Sequence, residues 1–322
     1  MRENQQDGIF TLTVFSNTES GMGGYSWLLI ATTTLAMGMF SAGTAQAHGF
    51  EGDRFFPPTI QTDDPFATDE LSLPSVSVFK NPAGGGSPAT RETDVSFEFD
   101  KEILPKFALG VSETYVDLAP EKMASINGFA TWELSAKYQL WENAPHEAIV
   151  SLGAKWDIGG SGSKNIGADS TSTITPTIYF GKGLGDLPDS VPYLKPFAIT
   201  GTLGESVPTS SDPDSFEWGI AIEYSLPYLE AQVKDIGLPK PFKNMIPLVE
   251  FSLDTPENRG GGPTTGTINP GILYETSYFQ IGAEAIIPVN RATGNAVGAV
   301  VQVQIFIDDI FPKVFGHPLF GK

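Results

Sequence analysis

The sequence contains no cysteine among its 322 residues. This absence excludes disulfide bonds, thiolate metal sites, iron–sulfur clusters and thiol nucleophiles. Basic residues are also scarce, because 19 lysines and arginines stand against 38 aspartates and glutamates, for a formal net charge of −19. Since a phosphate backbone is bound through a basic face, the composition predicts that the protein has no nucleic-acid partner.

Charged residues as a whole make up only 18% of the sequence, against about 25% in ordinary soluble domains. Glycine and proline are abundant instead, with 35 and 25 residues. This balance argues against a helical bundle or a coiled coil, which are rich in alanine, leucine, glutamate and lysine. Beyond the N-terminal region, no apolar run approaches the length of about 18 residues that a membrane-spanning helix needs.

The N-terminal 47 residues have the features of a targeting segment. Residues 27–40 (WLLIATTTLAMGMF) form an uncharged, mostly apolar run of the length of a signal-peptide core, and a small-residue cleavage site, Ala-Gln-Ala, follows at 45–47. We therefore expect residues 1–47 to be a cleaved signal peptide and the exported chain to begin at His48. A single N-terminal membrane anchor is the alternative, because Arg2 is the one basic residue before the apolar run.

The remaining chain repeats an alternation of apolar and polar residues, which is typical of β-strands with two unlike faces. In residues 216–226, for example, Trp218 and Ile220 share one face while Glu217 and Glu223 share the other. Twelve segments of this kind are predicted as strands. They are 73–81, 94–100, 107–117, 127–141, 146–157, 171–181, 192–204, 216–227, 245–254, 266–275, 278–288 and 297–308.

Two architectures use such strands: a soluble β-sandwich, which buries the apolar face, and a membrane barrel, which turns that face toward lipid. The segments are long enough for tilted membrane strands, aromatic residues cluster near their ends, and the polar face carries glycine, serine, glutamine and charges. We therefore predict an all-β fold, a transmembrane antiparallel up-and-down β-barrel of about 12 strands. A secreted soluble all-β binding protein is the alternative.

This prediction divides the chain into a signal peptide (1–47), an N-terminal periplasmic segment (48–72), a β-barrel (73–308) and a C-terminal tail (309–322). With an even number of strands, both termini lie on the periplasmic side of a Gram-negative outer membrane. The lipid bilayer and the machinery that assembles outer-membrane barrels are therefore expected partners. The acidic residues at the start of the mature chain are expected to be solvated; they are Asp63, Asp64, Asp69 and Glu70.

Two blocks of sequence resemble a group of outer-membrane barrels labelled as transporters or as outer-membrane proteins of the meta-pathway of phenol degradation. The first block is residues 54–66 (RFFPPTIQTDDPF) with 69–74 (DELSLP), and the second runs from 280–290 (QIGAEAIIPVN) to 306–312 (FIDDIFP). The resemblance implies an outer-membrane barrel that passes small molecules, with hydrophobic or aromatic compounds as candidates. It implies no catalytic residues.

Ten charged residues fall on the polar face of the predicted strands and are candidates for lining the lumen. They are Glu98, Asp100, Glu133, Lys137, Lys155, Asp157, Glu217, Glu223, Glu250 and Glu284. An excess of eight acids over two bases in a narrow, low-dielectric passage favours cations. The alternative is a filled interior in which these charges pair with one another, as in a structural barrel without transport.

No motif in the sequence points to catalysis. There is no Gly-x-Ser-x-Gly elbow and no nucleotide-binding fingerprint. The histidines are limited to His48, His146 and His317, which disfavours a copper site built on an N-terminal His48. We therefore predict a protein that is not an enzyme and holds no cofactor or metal, acting as a passive channel or transporter for small solutes.

Overall fold

Antiparallel strands that close on themselves form the body of the chain in the computed structural model, which describes residues 55–83 and 87–321. The strands are β1 (Glu70–Asn81), β2 (Thr90–Leu104), β3 (Phe107–Pro120), β4 (Ile126–Phe129), β5 (Glu133–Asn143), β6 (Ala148–Asp157), β7 (Thr173–Gly183), β8 (Phe197–Pro208), β9 (Ser215–Tyr224), β10 (Met245–Pro256), β11 (Thr265–Glu275), β12 (Phe279–Pro288) and β13 (Gly298–Ile305). β1 pairs with both β2 and β13, which closes the ring. β4 and β5 pair with successive parts of β3 and together form one strand of the barrel wall. The 13 strand segments of the sheet therefore make a barrel of 12 strands. The predicted fold class is confirmed.

The predicted strand positions agree with the structure to within three residues at each end, apart from three differences. The strand predicted at 192–204 is β8 (Phe197–Pro208), because Pro192–Leu194 form a 3₁₀ turn ahead of it. β2 is longer than the predicted segment 94–100, because its hairpin with β3 is paired from Thr90 to Leu104. The predicted strand 127–141 is divided at residues 130–132, where three residues face two residues of β3 in a β-bulge. The barrel as a whole covers residues 70–305, in place of the expected 73–308.

Within residues 55–83 and 87–321, helical structure is confined to short pieces. Four are 3₁₀ turns, at Ala144–His146, Lys164–Ile166, Pro192–Leu194 and Phe242–Asn244. Helix α1 (Leu226–Tyr228) continues into a π-helical turn at Leu229–Val233, and helix α2 (Ile307–Ile310) follows the last strand. In the part of the chain that the structure describes, no helix is both long and apolar enough to cross a membrane.

The strands bury their polar face and expose their apolar face, the reverse of a water-soluble protein. In β7, Thr175 and Thr177 are buried inside the barrel, while Ile174 and Ile178 on the outward face are exposed. Outward apolar side chains are exposed around the whole ring. They include Val95, Leu109, Leu134, Leu152, Leu203, Ile272, Ile281 and Val301. An apolar outer surface of this kind is stable against the hydrocarbon of a membrane and not against water. The barrel is therefore a membrane barrel, and the soluble alternative is excluded.

Four prolines lie inside strands, where each lacks the N–H group that a ladder uses. Pro74 lies at the register shift of β1 between Ser72 and Ser75. Pro176 falls at a gap in the β7–β8 ladder, which is paired at Ile174 and next at Thr177. The β11–β12 ladder is likewise interrupted at Pro270. Pro247 precedes the first residue of β10 that pairs with β9. The closed barrel therefore accommodates these prolines at interruptions of its ladders.

The two ends of the barrel are distinguished by the chain segments that they carry. One end, here called the terminal end, carries the start of β1, the end of β13 and the connections 105–106, 144–147, 184–196, 225–244 and 276–278. The opposite end, here called the far end, carries residues 82–83 and 87–89 and the connections 121–125, 158–172, 209–214, 257–264 and 289–297. Two of the connections at the terminal end, 184–196 and 225–244, are long, so the contrast between short periplasmic turns and long outer loops that is typical of outer-membrane barrels is only partly present.

Candidate functional site: the barrel lumen

The lumen contains a segment of the same chain, residues 55–69, here called the inner segment. Its apex, residues 61–63, reaches the middle of the barrel wall, and its two limbs turn back toward the terminal end. Residues 48–72 are therefore not a periplasmic segment throughout, because residues 55–69 lie inside the barrel, where polar side chains of the wall hold their backbone. Residues 48–54 lie outside the described part of the chain.

Three phenylalanines anchor the inner segment near the terminal end. Phe55 meets Phe56 and Phe66 edge-on, with ring centroids 4.8 and 5.1 Å apart. All three are almost fully buried and pack with Ile149 of β6. Gly181 of β7 lies beneath the Phe56 ring, and a Cβ atom at this position would lie 2.4 Å from a ring carbon. The inward face of β7 therefore needs a glycine at this point.

One carboxylate at the centre of β10 holds the apex. Glu250 is fully buried. Its oxygens accept hydrogen bonds from the N–H groups of Ile60, Gln61 and Thr62, at 2.7, 3.1 and 2.6 Å. Buried N–H groups outside a regular ladder need other acceptors, and a charged acceptor makes the stronger bond. A single side chain of the wall thus fixes three consecutive residues of the inner segment.

Neutral side chains of the wall bind the backbone of both limbs. Three such contacts join Gln280 Nε2 to the carbonyl of Pro58 (2.7 Å), the N–H of Ala67 to Gln139 Oε1 (2.9 Å), and the hydroxyl of Ser151 to the carbonyl of Pro65. The partners come from three different strands, so the inner segment is held across the lumen and not along one side of it.

Both lysines that the sequence predicts on the lumen wall contact the inner segment. Lys137 Nζ lies 2.8 Å from Asp63 Oδ1 and donates to the carbonyl of Asp64 at 2.8 Å. Lys155 Nζ lies 3.5 Å from the second oxygen of Asp63. Removing one member of such a partly buried group leaves an uncompensated charge, which is costly. Both lysines thus share the single carboxylate of Asp63, and the other eight predicted charges of the wall are acids.

Asp69 fixes the base of the inner segment at the terminal end. Its carboxylate pairs with Lys101 Nζ at 2.6 Å and accepts hydrogen bonds from the N–H groups of Glu102 (2.6 Å) and Gly316 (3.1 Å). The four acidic residues 63, 64, 69 and 70 are expected from the sequence to be solvated. This expectation is wrong for three of them, which are buried and accept hydrogen bonds from N–H groups of the protein. Those that are buried are Asp64, Asp69 and Glu70.

The ten predicted lumen residues lie on the inward face of the barrel in three groups. One group lines a central cavity, one lies toward the far end, and one is almost fully buried. The groups are Glu98, Asp100, Lys137 and Lys155; Glu133, Asp157 and Glu217; and Glu223, Glu250 and Glu284. The central group therefore holds both lysines, and the other two groups consist of acids alone.

Cavities remain in the lumen beside the inner segment. The central cavity measures about 130 Å³ and is lined by the first group with Asp63 and Asp64. A second, of about 300 Å³, is lined by hydroxyl groups and acids, among them Thr177, Thr202 and Glu217. A third, of about 310 Å³, has Phe79 and Ile286 in its wall. The larger two have the volume of small-molecule pockets, which begin at about 300 Å³.

The sequence-based reasoning missed the inner segment and most of its partners. Gln139, Ser151 and Gln280 carry no charge, so nothing marked them among the polar residues of their strands. One signal was available in the segment itself: Pro57, Pro58 and Pro65 surround the acidic pair 63–64. A stretch with few N–H donors needs few acceptors when it is buried, so prolines among acids fit a polar lumen.

Comparison with known proteins finds similar solved structures, while no protein-family model and no curated protein matches the sequence. An outer-membrane channel from Pseudomonas putida F1 shares 10% identity, with a TM-score of 0.48 over 77% of this chain and 98% of that one. The KdgM porin shares 11% identity, with a TM-score of 0.41 over 73% and 98%. The KdgM porin in complex with disordered oligogalacturonate gives 11% and 0.42 over the same shares.

Proposed function

We propose that the protein is a passive outer-membrane channel for small polar solutes that prefers cations and performs no catalysis. The observation that carries this proposal is the acidic group toward the far end of the lumen. Glu133 faces Asp157 across the β5–β6 ladder, and Glu217 faces Asp254 across the β9–β10 ladder. Lys155, the nearest base, is already engaged by Asp63. A low-dielectric passage with one sign of charge concentrates the opposite ion.

The proposed orientation places the terminal end in the periplasm and the far end outside the cell. An even number of strands brings both chain ends to one side, and in bacterial outer-membrane barrels this side is the periplasm. The proposed signal peptide, residues 1–47, delivers the chain there. Solutes then meet the acidic group Glu133, Asp157 and Glu217 before they reach the apex of the inner segment.

The inner segment sets the size limit in this proposal. It occupies the centre of the lumen and is held by Glu250, by neutral side chains and by the Asp63 ion pairs. Ions and solutes of a few atoms pass through the cavities beside the inner segment. Larger solutes need the apex to leave Glu250, which breaks three hydrogen bonds to one carboxylate.

A second candidate is the passage of hydrophobic or aromatic compounds, which the sequence resemblance implies. The cavity of about 310 Å³ lined by Phe79, Ile286 and Pro288 favours it, because it offers apolar contact at the far end of an otherwise polar lumen. Liposome uptake of phenol-sized solutes with and without Phe79→Ser separates the candidates. Loss of uptake on that change, with ion conductance retained, would favour the apolar route.

Neutralising the acidic group toward the far end is expected to lower the cation preference of the channel. The variant Glu133→Gln, Asp157→Asn and Glu217→Gln keeps side-chain volume but removes three charges. Reversal potentials across a planar bilayer under a salt gradient should move toward zero, most strongly near 10 mM salt, where the screening length is about 30 Å. The matched control neutralises three exposed acids outside the lumen; they are Glu121, Asp189 and Glu257.

Three results would contradict the proposal. An anion-selective pore would overturn the electrostatic argument. A selectivity that responds equally to the control variant would show that the charges of the lumen have no special role. A folded barrel that conducts no ions at all would support a structural barrel without transport.

A further inference from the structure

The C-terminal tail, residues 306–321, lies against the outer side of the barrel at the terminal end. The ring of Phe315 meets Phe99 edge-on, with centroids 6.3 Å apart and planes at 84°. Phe99 has the same strand parity as the exposed Val95, so it belongs to the outward, lipid-facing side of β2. Lys101 Nζ lies 5.8 Å from the centre of the Phe315 ring. Phe306 and Ile307 at the start of the tail are buried, and the part that contains Phe315 lies over the outer surface of the barrel.

Hydrogen bonds fix the tail along the end of β2. The N–H groups of Leu319 and Phe320 donate to the carbonyls of Glu102 (3.1 Å) and Ile103 (2.9 Å). Lys101 Nζ also donates to the carbonyl of His317 at 2.9 Å. These bonds hold the end of the tail beside β2, so its side chains have defined positions relative to the lipid-facing surface.

Large apolar side chains of the tail are turned outward. Phe311, Val314, Leu319 and Phe320 are 57, 63, 56 and 61% exposed. A soluble surface rarely collects so many apolar groups in one stretch of sequence. The end of the tail also lies beside Leu104, itself exposed on the outer surface, so the patch is continuous with the lipid-facing face of the barrel.

We propose that this tail is a membrane-interface segment that inserts Phe311, Val314, Leu319 and Phe320 into the phospholipid leaflet at the terminal end. Aromatic and aliphatic side chains flanked by polar backbone are stable at the boundary between headgroups and acyl chains. The exposed Lys313 lies within the same stretch and suits anionic headgroups. The inference depends on the barrel lying in a membrane and not on the passage of any solute.

Site-directed labelling tests the depth of the tail, and the absence of native cysteine makes single-cysteine variants clean probes. Phe311→Cys and Phe320→Cys, each carrying a nitroxide, are reconstituted into vesicles of phosphatidylethanolamine and phosphatidylglycerol. Collision with oxygen is expected to exceed collision with a water-soluble nickel chelate, as for a lipid-facing control at Ile178→Cys. Met123→Cys, an exposed apolar position in the connection between β3 and β4, is the water-exposed control.

Each remaining outcome of this measurement would overturn the proposal. If the labels at positions 311 and 320 meet the nickel chelate as often as the label at 123, the tail lies in water. If they show spin–spin broadening that disappears on dilution into excess lipid, the patch contacts a second copy of the chain. Heat-modifiable migration on gels reports folding of every variant, so a barrel that fails to assemble is recognised separately from a tail that leaves the membrane.

Discussion

Deleting residues 48–66 is expected to raise the single-channel conductance several-fold. The inner segment occupies the centre of the lumen, and a 12-stranded barrel lies between barrels filled by side chains and those with an open channel. None of the described residues in this deletion, 55–66, belongs to a strand, so every described ladder of the barrel keeps both partners. Planar-bilayer recordings of the deletion variant and of the chain without the deletion, at equal salt, give the comparison.

A charge exchange tests the same point without shortening the chain. Asp63→Lys places three amines where Lys137 and Lys155 now share one carboxylate, and their repulsion should drive the apex out of the lumen. Adding Lys137→Asp recreates an ion pair of reversed polarity and should return the conductance toward that of the unchanged protein. Asp212→Lys, an equal charge change at an exposed far-end position, is the control. A folded deletion variant that conducts no better would show that the inner segment does not limit passage.

Ile178→Arg is expected to cost about 2–4 kcal/mol of folding stability in a bilayer. Ile178 lies at the middle of β7 on the outward face and is 45% exposed. A guanidinium group at this depth loses its hydration to hydrocarbon. Urea titration of the protein folded into vesicles, followed by tryptophan fluorescence, measures the penalty.

Thr202→Arg is the matched control for this penalty. Thr202 lies opposite Tyr179, next to Ile178 along β7, so the two positions are at nearly equal depth. Its side chain lines the polar cavity of about 300 Å³, where Glu217 can receive an arginine. We expect a small change in stability. Equal penalties at positions 178 and 202 would mean that the outward face is packed against protein and not against lipid.

The strands could be predicted from the sequence because each one carries its own signal. Each residue of β7 faces either the lipid or the lumen, and this holds whichever strands lie beside β7. Apolar residues therefore alternate with threonines along the strand, at Ile174, Pro176 and Ile178. Parity then assigns a face to each charged residue. The bulge at residues 130–132 escaped this reasoning, because one extra residue changes the parity without changing the composition.

The inner segment could not be predicted in the same way because its contacts are distant in sequence. Glu250 lies about 190 positions from the backbone groups that it binds. A segment without a repeating conformation has no period, and each of its N–H groups is satisfied by a different part of the wall. Asp63 therefore reads as one more solvated acid until the closed ring places Lys137 and Lys155 beside it.

Because both limbs of the inner segment lie at the terminal end, a folded domain can be attached ahead of the segment without passing through the lumen. A segment that ran through the lumen from end to end would have to be threaded, and any folded domain ahead of it would block that passage. This segment enters and returns by the same opening, like a hook, with Phe55 and Asp69 both near the terminal end. It can be inserted or withdrawn while every ladder stays closed. A folded domain fused ahead of residue 48 would then remain on the side of the membrane that holds the terminal end.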